Sequence, residues 1–482
     1  MTGAELAATG IAGLDDVLGG GLTRNRLYLI EGMPGSGKTT LAFQFLLEGA
    51  RLGEPVLYVT LSESEDEIRD VARSHGWSLD GIVVRELVAG ADGLEPDGQY
   101  SVFHPSEVEL GDTTRQILDD VERIGPRRLV FDSLSELRLL AGSPLRYRRQ
   151  ILALKQYFAG RECTVLLLDD LTAEDHDLQV QSIAHGCVLL EQFTPDFGDQ
   201  RRRLRVLKYR GRAFRGGFHD YVIRRGGLSV FPRLVAAEHR AASRRAQLGS
   251  GLPALDALLG GGLEHGSSTL VMGAAGTGKS SLAALFANAA ATRGGRAILF
   301  LFDEQPQSLV ARMASLGVDL SPHVASGAIV LRPVDPAELS PGELSHEIRE
   351  AVTVGGCSVV VIDSLNGYLH AMPNERFLVV QLHELLSYLS QRGVVTLLIN
   401  AQVGLIGQMQ SAVDASYLAD SVLLTRYFEA EGEVRMALSV VKKRGGAHER
   451  SIRGLDLADG RISVGEPLRD YRGILTGVPS RH

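Results

Sequence analysis

The sequence predicts an α/β protein of two tandem domains, each a mostly parallel sheet flanked by helices. Three observations predict it. Two glycine-rich loops, GMPGSGKT at 32–39 and GAAGTGKS at 273–280, each follow an apolar stretch, LYLIE and STLVM. Continuous Val/Leu/Ile runs alternate with helical stretches, the pattern of strands buried on both faces of a parallel sheet. And the halves repeat: TGIAGLDDVLGGGL (9–22) matches SGLPALDALLGGGL (250–263), RRLVFDSL (127–134) matches SVVVIDSL (358–365), and VLKYRG (206–211) matches VVKKRG (440–445). Lys38 and Lys279 are separated by nearly the same length of chain as Lys208 and Lys442, so a whole domain is duplicated.

The first domain is expected over 1–235 and the second over 249–482. They are joined by a linker at 236–248, inside the alanine- and arginine-rich stretch RLVAAEHRAASRRAQ (233–247). At 482 residues the chain exceeds one ordinary core. With 44% hydrophobic and 22% charged residues and a mean hydropathy of +0.04, it has a globular composition. No apolar run approaches the roughly 20 residues that span a bilayer. The start, MTGAELAATG, lacks a basic segment followed by an apolar core, so a cytoplasmic location is expected. Cys163, Cys187 and Cys357 are unclustered, which excludes a zinc or disulfide framework and leaves them as small core residues. The net charge of −8 argues against extensive nucleic-acid binding.

Both loops fit G-x-x-x-x-G-K-[ST], whose backbone N–H groups wrap a nucleotide's phosphates. In the first, Gly32, Gly35 and Gly37 allow close approach, Lys38 pairs with the β/γ-phosphates, and the Thr39 hydroxyl ligates Mg²⁺; Ser36 and Thr40 complete the set. Gly273, Gly276, Gly278, Lys279 and Ser280 repeat those roles, with Thr277 and Ser281 beside them. ATP and Mg²⁺ are the expected ligands. The bland alternative is a glycine turn into a helix beside a surface lysine, which two such loops in register disfavour.

Asp132 and Asp363 end apolar strands, where a nucleoside triphosphatase keeps the carboxylate that supports Mg²⁺ from behind; alone, each reads equally as a helix cap. Glu63 and Glu304 follow the strands VLYVTL and AILFLF, at the end of a strand expected to neighbour the phosphate loop, and are candidates to orient or deprotonate water. The corner differs between halves: Ser62-Glu63 in the first, Asp303-Glu304 in the second. In the basic stretch RRRLRVLKYRGRAFR (201–215), Lys208 and Arg210 share their spacing with Lys442 and Arg444. These four read as cations donated across a subunit boundary to a neighbour's triphosphate; the remaining arginines read as a solvated or interfacial face.

Tandem phosphate loops, strand-end acids, Asp-Ser strands and K-x-R-G segments together resemble KaiC, the double-domain ATPase family within the RecA-like P-loop superfamily. The resemblance runs from about residue 9 to DYRGILTGVPSRH, and is strongest in the second half, including KRGGAHERSIRGL (443–455). It implies a homohexameric double ring with ATP at subunit interfaces. A slow ATPase is implied in the first domain and an autokinase in the second. A protein partner of the KaiB kind or a signalling partner is implied as well. Carried over by position, the family's acid pairs fall on Ser62/Glu63 and Asp303/Glu304, and its phosphorylated Ser-Thr pair falls on Ser416 and Tyr417. A DNA-dependent RecA-type recombination or repair ATPase is the alternative, with GLIGQMQSAVD (404–414) as its candidate loop; a slowly turning scaffold is another.

Overall fold

The structure, a computed structural model, describes residues 5–87, 105–171, 178–195, 198–239, 246–370, 375–402, 404, 416–458, 460–476 and 479–481. The chain divides into two compact units, Met1–Arg233 and Leu234–His482. Among the described residues each is built on one nine-stranded sheet.

In the first unit the strands are β1 (Leu27–Gly32), β2 (Val56–Thr60), β3 (Ile82–Glu86), β4 (Arg128–Asp132), β5 (Thr164–Asp170), β6 (Gly186–Phe193), β7 (Arg201–Tyr209), β8 (His219–Arg224) and β9 (Gly227–Phe231). Their order across the sheet is β9-β8-β7-β6-β1-β5-β4-β2-β3. The first six in sequence run parallel, and β7 to β9 extend the sheet antiparallel from β6. The continuous apolar runs have the expected cause. Leu29, Leu57, Leu129 and Leu167 bury one sheet face, while Tyr28, Ile30, Tyr58, Val130 and Leu166 bury the other.

Two sequence expectations change. β2, which leads into Glu63, does not neighbour the loop strand β1: β5 and β4 lie between them. Strands adjacent in sequence need not be adjacent in a doubly wound sheet, because each parallel pair is joined by a crossover that can skip positions. And β3 is an additional strand, an edge segment whose alternating burial (Ile82 and Val84 in, Val83 out) leaves only a short, weak apolar signal.

The second unit repeats the design strand for strand. Its members are β10 (Ser268–Gly273), β11 (Ala297–Leu301), β12 (Ile329–Pro333), β13 (Val359–Asp363), β14 (Val395–Ala401), β15 (Ser421–Ala430), β16 (Glu433–Lys443), β17 (Arg453–Ala458) and β18 (Arg461–Pro467). The order is β18-β17-β16-β15-β10-β14-β13-β11-β12, so Glu304's strand β11 is again two strands removed from the loop strand. Ala236–His239 form a short 3-10 turn, and the Ala236 N–H donates to Glu384 at 3.0 Å, so this part of the linker packs on the second unit. Residues 240–245 of the linker, and 405–414 of the candidate nucleic-acid loop, lie outside the described residues. No helix among the described residues is long and apolar enough to cross a membrane.

Candidate active sites

The parallel strands end at one edge of each sheet, and there the loops sit. β1 ends at Gly32, and helix α1 (Lys38–Arg51) starts after Gly37, which caps it at φ +94° with no side-chain cap. A β-carbon on Gly37 would come 2.5 Å from Ile223 Cδ1, so both the turn and the packing require glycine. The first N–H groups of α1 are therefore aimed into the loop with the helix dipole behind them, the arrangement that binds phosphate. Lys38 is buried; its ammonium donates to the Gly32 and Met33 carbonyls (2.8 and 3.2 Å) and lies 2.6 Å from Asp170 Oδ1. Thr39 Oγ1 donates to Asp132 Oδ2 at 2.9 Å, and Tyr58 donates to the same oxygen. Ser36 is wholly buried, with its hydroxyl lacking a hydrogen-bond partner, while Thr40 is buried in the first turn of α1.

Glu63 is set by the turn that follows β2. The Thr60 hydroxyl accepts the Glu63 N–H and donates to its carbonyl, both at 2.9 Å; Ser64 then caps α2 (Glu65–Ser74) in a capping box with Glu67. Glu63 is half-buried, and its Oε2 is buried without a hydrogen-bond partner. Burial, and after it the charges of Asp132, Glu67 and Asp170, hold its carboxyl above the usual range. Burial likewise raises Asp132, against the hydrogen bonds from Tyr58 and Thr39.

The second site shares the frame but not the electrostatics. Gly278 caps α3 (Lys279–Thr292) at φ +81°, and Lys279 donates to the Ala274 carbonyl at 2.6 Å. A β-carbon on Gly276 would meet the Tyr427 hydroxyl at 2.7 Å, and one on Gly273 would strike Thr425. Thr277 hydroxyl bonds Thr425 at 2.6 Å. Ser280 hydrogen-bonds Asp363, whose carboxyl burial raises to about 6. Leu299 stands where the first sheet has Tyr58, so that donor is missing: Tyr58 pairs in register with Val130, and Leu299 with Val361 at the matching position. Asp303 accepts from Ser364 Oγ; Glu304 is held by Arg312 of α4 (Pro306–Ser315) at 2.6 Å, and Arg312 also reaches Ser281. Eight residues after Glu63, where Glu304 has Arg312, stands Val71.

These residues fit Mg·ATP. A serine or threonine hydroxyl sits on a strand-end aspartate beside a helix N-terminus. In the first site an unpartnered carboxylate oxygen also faces the same corner, suited to a water or a hydrated cation. Among the described residues no group of three or more His, Cys, Asp or Glu could hold a metal by itself.

The K-x-R residues lie at the opposite edge, where the parallel strands begin. Lys208 pairs in register with Cys187, Cys187 with Leu29, and the Arg210 N–H donates to the His185 carbonyl, beside Leu27. Leu27 is five residues before Gly32, roughly 16 Å of strand. Lys208 and Arg210 donate to the main-chain carbonyls of Gln181 and Ser182 in the short helix Leu178–Ile183. Lys442 donates to the carbonyls of Ser416 and Ala419, and Arg444 to that of Tyr417. Ser416 is half-buried and Tyr417 is exposed, both just before β15, again at the starting edge. Arg210 lines a hollow of about 240 Å³ with Arg26, Lys155 and His185; Arg444 lines one of about 640 Å³ with Lys443 and Asp420. Of the other arginines in the basic stretch, Arg203 pairs with Glu191 at 2.7 Å and both Arg203 and Arg205 lie over Phe218.

Sequence reasoning missed Asp170, Tyr58 and Arg312. Asp170 had a signal, since LLLDD (166–170) is an apolar run ending in acids like those at 132 and 363; the other two are visible only through strand register and helix packing.

Burial of Asp363 yields a stability prediction. With a native value near 6 against an ordinary 3.8, its carboxylate opposes folding at neutral pH, and native protonation relieves the penalty as pH falls through 6. Asp363→Asn should raise the melting temperature of the nucleotide-free protein by a few degrees at about pH 7.5, and roughly half of the gain should be gone at about pH 5. Thermal scans of both proteins across that range check this; a gain independent of pH contradicts it.

A family model described as "ATPase: KaiC" matches residues 7–235 and 248–469. The chain is 28% identical to the circadian clock oscillator protein KaiC of Picosynechococcus sp., over all of this chain and 93% of that protein. It is 28% identical to the circadian clock protein KaiC2 of Synechocystis sp., over 98% of this chain and 83% of the relative, and to KaiC3 of the same organism over 99% and 95%. Two matched segments, one on each phosphate loop, account for the duplicated sheets, and the chain belongs to the KaiC ATPase family.

Proposed function

We propose that this protein binds ATP with Mg²⁺ at both loops, hydrolyses it in the first domain, and transfers phosphate to its own Ser416 in the second, working as a closed ring of copies. One observation carries the reading. Within each unit the loop, hydroxyl and acids lie at the finishing edge of the sheet, while the K-x-R cations and, in the second unit, Ser416 lie at the starting edge. Those cations are too far from their own loop, so the triphosphate they suit is bound to another copy. Copies joined edge to edge in this heterologous way form a ring where the rotation between them closes. The cationic hollow around Arg210, where Arg26, Arg210, Lys155 and Lys208 all depress His185 after burial, supports an anion arriving there.

In the first domain, Gly32 to Thr40 and Lys38 hold the phosphates, Asp132 fixes the Thr39 hydroxyl, and Glu63 takes a proton from water. The water oxygen bonds the γ-phosphorus as the bond to the β–γ bridging oxygen breaks, leaving ADP and phosphate. A carboxyl raised by burial and lacking a hydrogen-bond partner at Oε2 is suited to that proton. Bound Mg²⁺ would neutralise phosphate charge, with Thr39 and Ser280 as its protein ligands. In the second domain Ser416 Oγ of one copy bonds the γ-phosphorus of ATP held by a neighbouring copy as the bond to the β–γ bridging oxygen breaks and ADP leaves. That neighbour's Asp303, hydrogen-bonded to a serine hydroxyl, takes the serine proton. Glu304, engaged by Arg312, positions the site. Tyr417 carries its hydroxyl roughly 4 Å farther from the backbone than a threonine does, so one dominant acceptor is expected. The relatives' names carry a clock role; for this chain we propose a clock-like, signalling or stress-response role in the cytoplasm, with a partner protein of the KaiB or signalling kind and no nucleic acid.

Three measurements test the reading. In a Lys279→Ala background, Glu63→Gln should lower ATP hydrolysis tenfold or more, the range of general-base losses; a rate equal to that of the parent removes Glu63 from the role. Light scattering with Mg·ATP should show about six chains, taking that number from the family resemblance, and Arg210→Ala with Arg444→Ala should shift the protein toward monomer. A monomeric parent under those conditions would exclude composite sites. Incubation with γ-labelled ATP should label Ser416, with the label lost in Lys279→Ala and retained in Lys38→Ala; label on Tyr417 alone, or none, would contradict phosphotransfer to Ser416.

A further inference from the structure

The two loops face different neighbours on the strand beside them. In the first unit Gly32 is level with Asp170, the last residue of β5, whose carboxylate lies 2.6 Å from the Lys38 ammonium. In the second, Gly273 is level with Ala401, the last residue of β14. At the corner after the second strand two inequalities offset each other: Asp303 adds a carboxylate where the first site has Ser62, and Arg312, paired with Glu304, adds a guanidinium where the first has Val71, which leaves Asp170 as the unbalanced charge. The first site thus has an additional carboxylate against its loop lysine. The Lys38 side chain is 6% exposed and that of Asp170 27%, so the ion pair is partly buried, with its ammonium end the drier. Asp170 also raises Glu63, which places the two carboxylates within electrostatic reach of each other.

We infer that Asp170 sets the nucleotide affinity of the first site, acting as a latch on Lys38 that a polyphosphate has to displace and whose charge then remains close to the phosphates. The inference rests on the reading of residues 32–39 as a nucleotide site. A lysine pre-paired with a carboxylate gains less from phosphate than one bonded only to a carbonyl, because the new interaction replaces an existing ion pair. The nearby negative charge then opposes the bound anion. The first site is therefore the weaker and faster-exchanging one, and the second, with Ala401, holds nucleotide more tightly. Asp170 is a positioning and affinity-setting residue, with no part in bond making.

The test is equilibrium and stopped-flow binding of a fluorescent ADP analogue with Mg²⁺ to the full-length protein, independent of turnover. In a Lys279→Ala background, where the first loop alone is intact, Asp170→Asn and Asp170→Ala should each tighten binding about tenfold and slow release. In a Lys38→Ala background, Ala401→Asp should weaken binding at the second loop by a similar factor. A purely structural role for Asp170 predicts the opposite sign, since losing a loop contact would loosen the site. Should Asp170→Ala fail to fold, the near-isosteric asparagine variant decides. An affinity unchanged within twofold, or weakened, in Asp170→Asn overturns the inference while leaving the nucleotide site standing. No binding at all by Lys279→Ala overturns both that reading and the inference that rests on it.

Discussion

The hydrogen bond from Thr39 to Asp132 is the constraint around which the first unit is organised. It joins the opening turn of α1 to the end of β4, a strand separated from β1 by β5. For the two groups to meet, the loop has to turn tightly enough to start α1 over the sheet, which the left-handed Gly37 allows, and β1, β5 and β4 have to finish level with one another. A buried carboxylate is costly unless donors satisfy it. Thr39 and Tyr58 supply two, and both come from elements that the buried apolar faces of the sheet already hold in place. The second unit keeps the strand-end aspartate and the loop hydroxyl, Asp363 and Ser280, with leucine at the tyrosine position. Burial raises both aspartates.

Duplication has preserved a frame and released the charges set into it. What repeats is the frame: strand order, loop glycines and the strand-end aspartate. What differs lies one residue beyond the frame, at the corner after the second strand, at the end of the strand beside the loop, and on the helix packed behind the acids. Substitutions there, Ser62 for Asp303, Asp170 for Ala401 and Val71 for Arg312, change the charge around each loop while the strand order stays the same. That is how one fold accommodates two nucleotide sites of different character in a single chain.

The same distinction explains what was legible in the sequence. Glycine spacing, lysine and hydroxyl identify each loop because the chemistry requires those residue types next to one another along the chain. The apolar runs identify β1, β2, β4 and their counterparts because both faces are buried. The sheet order was not legible. It depends on which crossover skips which position, so Glu63 was placed on a neighbour of β1 when two strands separate them. β3 was missed because an edge strand with one face in solvent carries half the signal. Asp170 was hidden because its meaning comes from lying level with Gly32, more than a hundred residues away in sequence, and a run of apolar residues ending in acid looks the same whether or not a lysine waits opposite.

The starting edge of the sheets has a different electrostatic character, and it is complementary. Among the described residues no carboxylate pairs with Lys208 or Arg210; both are satisfied by main-chain carbonyls, which offer dipoles and no net charge. Burial and the surrounding cations depress Lys208, so this cluster is held together against its own repulsion. In the second unit Lys442 and Arg444 hold the carbonyls of Ser416, Tyr417 and Ala419, and Arg444 also lies 3.5 Å from Asp420 Oδ1, so these cations fix the main chain of the segment that carries Ser416. A carbonyl dipole fixes the position of a cation while leaving its charge available. Each unit thus carries loop N–H groups and strand-end acids at one edge and, at the other, cations held mainly by main-chain carbonyls, with Asp420 also 3.5 Å from Arg444 in the second unit; that polarity is the basis of the ring proposed above.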